Sequence, residues 1–338
     1  MTFKGAKLFV SACAIILLVI SVNLSAQEKT YTLRFNTVAS PTEEQFKAMD
    51  KFAEVVGQLS NGKIQVKTFH SGQLGDQKTG LLGVMKGSLE MTCDGSPSWF
   101  ADLANYPEIG ALESAYLYRD IDHMYRVLLG PIGQAYWEKL AQKSGIRVLD
   151  VWYMGTRELD LTQKAGIVKT PADLRGIKLR MPNTETWLDV GRALGANPTP
   201  LGFGEVYLGL KTGTIDGQDN PIPTDYGEKF FEVTKYLVLT DHVIGYVTPV
   251  INEKLWQSMP ELYRVYIRKA MQVARFQINQ RNLELESSLL GKAAQEYGIE
   301  VVVPDKKAFM DSAAKFYSDP RFDTKFGKGV LDSIRAVQ

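Results

Sequence analysis

The chain has 338 residues, with 39 Lys and Arg against 38 Asp and Glu, three His and two Cys. A balance this close to neutral argues against nucleic acid or an anionic membrane surface as partner, since both favour a basic patch. The length suggests one large or two medium domains and suffices for a core without disulfide staples.

Lys4 and Lys7 precede an apolar run over residues 8–22, followed by Asn23, Leu24, Ser25 and Ala26. A basic start, an apolar run and a small residue before a polar segment predict a secretory signal peptide, 1–26, cleaved after Ala26. The run is shorter than the roughly 20 residues of a membrane-spanning helix. Its Cys13 lies inside the run, which argues against a lipoprotein. Cleavage removes two basic residues and no acidic ones, leaving 37 minus 38, or −1. Cys93 then remains as the single cysteine and reads as a buried apolar residue. The mature protein is expected in the periplasm.

Residues 31–36 alternate as a strand and end at Ser40-Pro41. Phe46, Met49, Phe52, Ala53 and Val56 recur at helix spacing, and Asn61-Gly62 turns the chain into a strand over 64–69. A helix over 76–87 and a strand over 90–93 follow, ending in the loop Asp94-Gly95-Ser96-Pro97-Ser98-Trp99. This β-α-β-α-β order predicts a parallel sheet, whose ligands bind beyond the carboxyl ends of the strands. The pattern then predicts a helical stretch over 113–144 and a strand over 146–153. Further strands are expected at 157–161, 177–180, 215–219, 236–239 and 243–251, and helices at 184–194 and 203–210. Asn197-Pro198-Thr199-Pro200 must be extended, because proline disfavours helix in the residue before it. From Pro260 an apolar pattern runs without proline or glycine to about residue 290. Such a helix is roughly 45 Å long. Heptad spacing is not kept, so it is expected to bridge two lobes.

Enzymatic chemistry finds little support. His70, His123 and His242 are far apart and in no metal-binding spacing, and no nucleophile elbow, P-loop or dinucleotide fingerprint occurs. No catalytic residue, metal or cofactor is expected.

The informative segments are SGQLGDQ (71–77), VMKGSLEM (84–91), GTRELDLT (155–162), ADLRGIKLRMPNT (172–184) and GANPTPLGFGEVYLGLKTGTIDGQDNP (195–221). In this order they resemble the substrate-binding subunits of TRAP (tripartite ATP-independent periplasmic) transporters, the DctP-type family. The likeness runs through almost all of the mature chain. It implies a two-lobe α/β periplasmic binding protein, type II-like, with a cleft between the lobes and the long helix bridging both. Lobe I would comprise 27–153 plus 246–285, and lobe II 154–245 plus 286–338. The implied role is capture of a small organic acid for the membrane permease subunits, with the protein expected to be a monomer. A ligand-sensing module for a signalling receptor is the alternative role.

An arginine can grip a carboxylate through two parallel hydrogen bonds, which a lysine cannot. The family arginine of the K-L-R-x-P-N strand makes that bond, and its match is Arg180. Arg157 matches a second arginine that helps hold acidic sugars. Asn220 resembles an asparagine that donates to the carboxylate or a neighbouring hydroxyl. Asn183 and Phe203 are further candidates, Phe203 as an apolar wall. Sialic-acid binders carry a glutamate and an aspartate where this chain has Gly95 and Gln77. Instead, Asn36, Gln77, Asp94, Ser96 and Trp99 offer amides, hydroxyls, a carboxylate and a ring suited to a polyhydroxylated ligand. The favoured ligand is therefore a sugar acid such as a hexuronate or aldonate. A C4-dicarboxylate, a keto acid or sialic acid are alternatives.

Overall fold

A computed structural model describes residues 29–338. The leader read in 1–26 lies outside them. The first parallel unit is formed by β1 (Tyr31–Asn36), α1 (Glu44–Leu59), β2 (Ile64–Phe69), α2 (Gln77–Lys86) and β3 (Met91–Gly95). β1 is central, with Tyr31 opposite Ile64 and Phe35 opposite Met91. Helix α1 buries Met49, Phe52 and Val56 as the apolar spacing requires. Asp76 caps α2 by accepting the Thr79 N–H at 2.8 Å, and Gly87 ends it in the left-handed region.

The segment after β3 departs from the sequence pattern in two places. The Asp94–Trp99 stretch is not an open loop: β3 continues to Gly95, and α3 (Pro97–Leu103) starts two residues later. The helix expected over 113–144 is instead α4 (Ile121–Leu128) and α5 (Pro131–Ser144), preceded by a non-helical stretch over 114–120 and a 3-10 turn (Pro107–Glu113). Pro131 lacks an N–H and begins a new helix. At Gly130 a Cβ would stand 2.0 Å from the Arg126 carbonyl oxygen, so the chain turns where only glycine fits.

The strand expected over 146–153 is likewise two, β4 (Ile146–Val148) and β5 (Trp152–Leu161). The second half follows with β6 (Lys178–Met181), α6 (Glu185–Ala193), β7 (Asn197–Pro200), α7 (Val206–Thr212), β8 (Gly217–Pro221) and α8 (Ile222–Gly227). The two strands expected over 236–251 are one, β9 (Tyr236–Asn252). Its irregularity is absorbed at Asp241, which has φ 48° and whose N–H is held by the Glu158 carboxylate at 2.8 Å. The remaining elements are α9 (Glu253–Ser258), α10 (Glu261–Tyr297), β10 (Glu300–Val302), α11 (Lys306–Tyr317), α12 (Pro320–Phe326) and α13 (Val330–Arg335).

The strand order β2-β1-β3-β9-β5-β8-β6-β7 makes β9 the seam between the halves. Its C-terminal end pairs with β3 and β4, and the rest pairs with β5. Helix α10 has 37 residues, or about 55 Å at 1.5 Å each. Its first half buries Ile267, Met271 and Ile278 with Phe52 and Val56. Its last turns pack Leu289 and Ala293 against Ile222 and Leu237. The helix thus bridges both halves. No helix among the described residues is long and apolar enough to cross a membrane.

Gly95 explains one departure noted in the sequence. A Cβ there would sit 2.4 Å from the Thr248 carbonyl oxygen and 2.9 Å from the Phe100 ring. This backbone therefore has no room for a glutamate at that position. Gly95→Ala should destabilise the protein by about 1–3 kcal/mol through overpacking, read as a lowered denaturant midpoint at unchanged slope.

Candidate ligand-binding site

A cavity of about 790 Å³, measured out to its mouth, opens where the strands of both halves end. One side is built from the segments after β1 and β3 and from the 3-10 turn: Val38, Glu43, Asp94, Ser96, Trp99 and Glu113. The other is built from Arg157 of β5, Arg180 of β6, Asn220 of β8, and Trp187 on the first turn of α6. Gly245 to Val247 of β9 run along the seam.

Arg180 is only 1% exposed. Parallel pairing with β7 sets its place, opposite Thr199, one residue before the end of β6. Its Nε donates to the Leu201 carbonyl at 2.9 Å, which fixes the plane of the guanidinium. The two terminal nitrogens have no partner among the described residues. Burial lowers this guanidinium to about 10, against the opposing pull of Asp219. A guanidinium held in this way presents a two-pronged donor to whatever enters.

Arg157 is held differently. Its Nε donates to the Asp219 carboxylate at 2.7 Å and its Nη2 to the Asp219 carbonyl at 2.6 Å, while the Trp187 ring covers it at 4.4 Å. His242 joins the same Asp219 oxygen at 3.2 Å and pairs through Nδ1 with Thr240 at 2.8 Å. Burial pushes the Asp219 carboxyl up, but Arg157 and His242 pull it well below the usual carboxylate range. Asn220 donates to Gln218, whose amide in turn donates to Asp225 at 2.8 Å. This chain fixes the Asn220 side chain from behind.

On the first half, Asp94 is buried and accepts from the Thr37 hydroxyl at 2.7 Å, the Val38 N–H at 3.2 Å and the Thr92 hydroxyl at 3.1 Å. Burial outweighs these donors and raises it to about 6. Glu113 receives the Ser98 N–H at 2.6 Å, and burial raises it to about 7. Glu43 accepts the Thr224 hydroxyl at 3.0 Å, and burial, with Glu228 beside it, raises it well above the ordinary range.

Of the residues singled out in the sequence, Arg180, Arg157, Asn220, Phe203, Gln77, Asp94, Ser96 and Trp99 line this one cavity. Two stand elsewhere. Asn36 is buried behind the wall, accepting the Leu74 N–H and donating to the Gly75 carbonyl, each at 3.1 Å, so its amide is used in tying a loop to β1. Asn183 is exposed in the bend ahead of α6 and is not among the lining residues. Glu43, Glu113, Trp187 and Tyr246 also line the cavity and were not singled out. Trp187 was within reach of sequence reasoning, lying one turn into a helix that starts three residues after Met181. Nothing local marks Glu113, a single carboxylate among 38 acidic residues.

Residues 35–321 match the family model DctP, described as bacterial extracellular solute-binding protein, family 7. The chain belongs to that family. It is 34% identical over 311 residues to the 2,3-diketo-L-gulonate-binding periplasmic protein YiaO of Escherichia coli K12, covering 91% of this chain and 92% of the relative. A TRAP periplasmic solute-binding protein of Roseobacter denitrificans, with bound 3-deoxy-D-manno-oct-2-ulosonic acid, is 32% identical with a TM-score of 0.84, covering 91% of this chain and 99% of that one. A counterpart from Sulfurospirillum deleyianum with bound succinate is 29% identical with a TM-score of 0.83, covering 92% and 100%. The chain is thus a TRAP solute-binding protein for small organic acids, not an enzyme, in a family that works with TRAP permease subunits.

Buried carboxyls give the unliganded protein a definite pH response. Asp94 and Asp150 are raised to about 6, and Glu113 and Asp160 to about 7, in each case chiefly by burial. The native state therefore holds more protons than the unfolded chain between about pH 4 and 7. Stability is fully present below the unfolded values and is lost as pH rises through the folded ones. Calorimetry of the apo protein should show the melting temperature falling from pH 5 to pH 8.

Proposed function

We propose that this chain captures a sugar acid of the hexuronate or aldonate class and delivers it to a TRAP permease, with the ligand carboxylate gripped by Arg180. One observation carries the reading: a buried guanidinium in the cavity wall is oriented by a backbone carbonyl while its two terminal nitrogens have no partner among the described residues. A carboxylate satisfies both nitrogens at once. The rest of the cavity suits hydroxyls and ring faces, with Ser96, Asn220 and Gln77 as polar groups and Trp99 and Trp187 as flat apolar surfaces. The names of YiaO and of the Roseobacter protein with its bound acid both point to sugar acids. A C4-dicarboxylate is the second reading, favoured by the succinate-bound neighbour. The leader at 1–26 and the periplasmic relatives support export to the periplasm.

A thermal-shift screen across uronates, aldonates, sialic acid and C4-dicarboxylates identifies the ligand, and titration calorimetry measures it. Arg180→Lys should weaken the cognate acid by roughly two orders of magnitude, since lysine keeps the charge but cannot make the two parallel hydrogen bonds to a carboxylate. Its far-ultraviolet circular dichroism should match wild type. An Arg180→Lys variant that binds as tightly as wild type would remove the anchoring role.

A further inference from the structure

The charges lining the cavity do not balance around two ligand carboxylates. The two cations are Arg157 and Arg180, and the lining acids are Glu43, Asp94 and Glu113. Arg157 is already matched by Asp219, through both its carboxylate and its carbonyl. That leaves Arg180 as the cation on the wall without a carboxylate partner among the described residues, enough for one ligand carboxylate.

Among the acids, Asp94 is occupied by donors from Thr37, Val38 and Thr92. Glu43 is engaged by Thr224. Glu113 is 3% exposed and lines the cavity; its Oε2 takes the Ser98 N–H at 2.6 Å, and the Ser96 and Ser98 hydroxyls bond the carboxylate as well. The groups facing it are the Ser96 and Ser98 side chains of α3, Arg157 of β5, Tyr246 of β9, and Tyr118. No lysine lines the cavity, and Arg157 is the cation that acts on Glu113.

We propose that Glu113 is a specificity determinant: its carboxylate, held at the cavity wall, accepts a hydrogen bond from a hydroxyl on the tail of a monocarboxylic sugar acid and turns away ligands with a second carboxylate at that end. This rests on Arg180 anchoring the first carboxylate. A second carboxylate would stand beside a buried carboxylate whose acting cation, Arg157, is already tied to Asp219, a like-charge contact that weakens binding. Such a ligand enters only if a proton enters with it and makes Glu113 a donor.

Matched acids separate the two cases: L-galactonate against galactarate and D-gluconate against D-glucarate, each pair differing by one terminal carboxylate, with succinate as a fifth probe. Titration calorimetry on the mature chain at pH 7.5 should find an aldonate bound at least about ten-fold tighter than its diacid. The diacids should gain affinity as pH falls to 5.5, with proton uptake visible as a dependence of the heat on buffer ionisation. Glu113→Gln should shrink the aldonate-to-diacid ratio by about ten-fold or more and abolish that proton uptake. Equal binding of an aldonate and its diacid by wild type at pH 7.5 overturns the filter while leaving the Arg180 anchor standing. An unchanged ratio in a folded Glu113→Gln protein does the same. If that variant does not fold, the wild-type pH series decides. If no acid of either kind binds, the sugar-acid reading falls and the filter falls with it.

Discussion

An arginine side chain with almost no exposure and two idle nitrogens is an expense that folding alone does not repay. Removing a charge from water without pairing it is unfavourable, and the lowering of Arg180 to about 10 expresses that cost. The surroundings limit the penalty in two ways. The Leu201 carbonyl takes one N–H, and Asp219 supplies a negative field from the far side of Arg157. What remains is a planar, cationic, two-pronged donor of the geometry that suits a carboxylate.

The fold brings that donor to a place where a second wall meets it. Arg180 and Asn220 lie at the carboxyl ends of β6 and β8, and the segments after β1 and β3 lie at the carboxyl ends of the other half. Because β9 runs unbroken from β5 to β3, the two sets of strand ends face one cavity, not two. Helix α10 reinforces the same alignment from outside, packed on α1 at one end and α8 at the other. The network of Arg157, Asp219 and His242 sits on β5, β8 and β9, so it fastens the strands that carry the site.

Much of this was legible in the chain itself. Parallel β-α-β order follows from periodicity, and Asp76, Gly87 and Thr184 mark helix ends through ordinary capping chemistry. The long helix announced itself by an uninterrupted pattern after Pro260. Failures arose where tertiary contacts override local pattern. Strand β9 reads as two pieces because Asp241 interrupts the alternation, yet pairing on both sides holds it as one. Residues 114–120 looked helical although the following helix is interrupted at Gly130-Pro131. In the site, Arg180 and Arg157 were visible through the family-like segments KLRMPN and GTRELDLT that carry them, not through residue type alone. Asn36 was misjudged because an amide beside a cleft can as readily bind its own loop. Glu113 was invisible because only the fold brings it to the cavity.

Contacts across the mouth give the binding event its leverage. The loop after β1 is joined to the region of α8 by the Ser40 N–H on Glu228 at 2.9 Å, the Thr42 hydroxyl on the Gly227 carbonyl at 2.9 Å, and the Thr224 hydroxyl on Glu43. These bonds connect residues of the two halves more than 180 positions apart in sequence. They are few and polar, and one Glu43 oxygen remains buried without a partner. The Thr224–Glu43 bond is buried, the Ser40–Glu228 bond half-buried and the Thr42–Gly227 bond exposed, so the join runs from core to solvent. By differential affinity, a ligand held by groups on both walls shifts the protein towards the arrangement in which both walls face it.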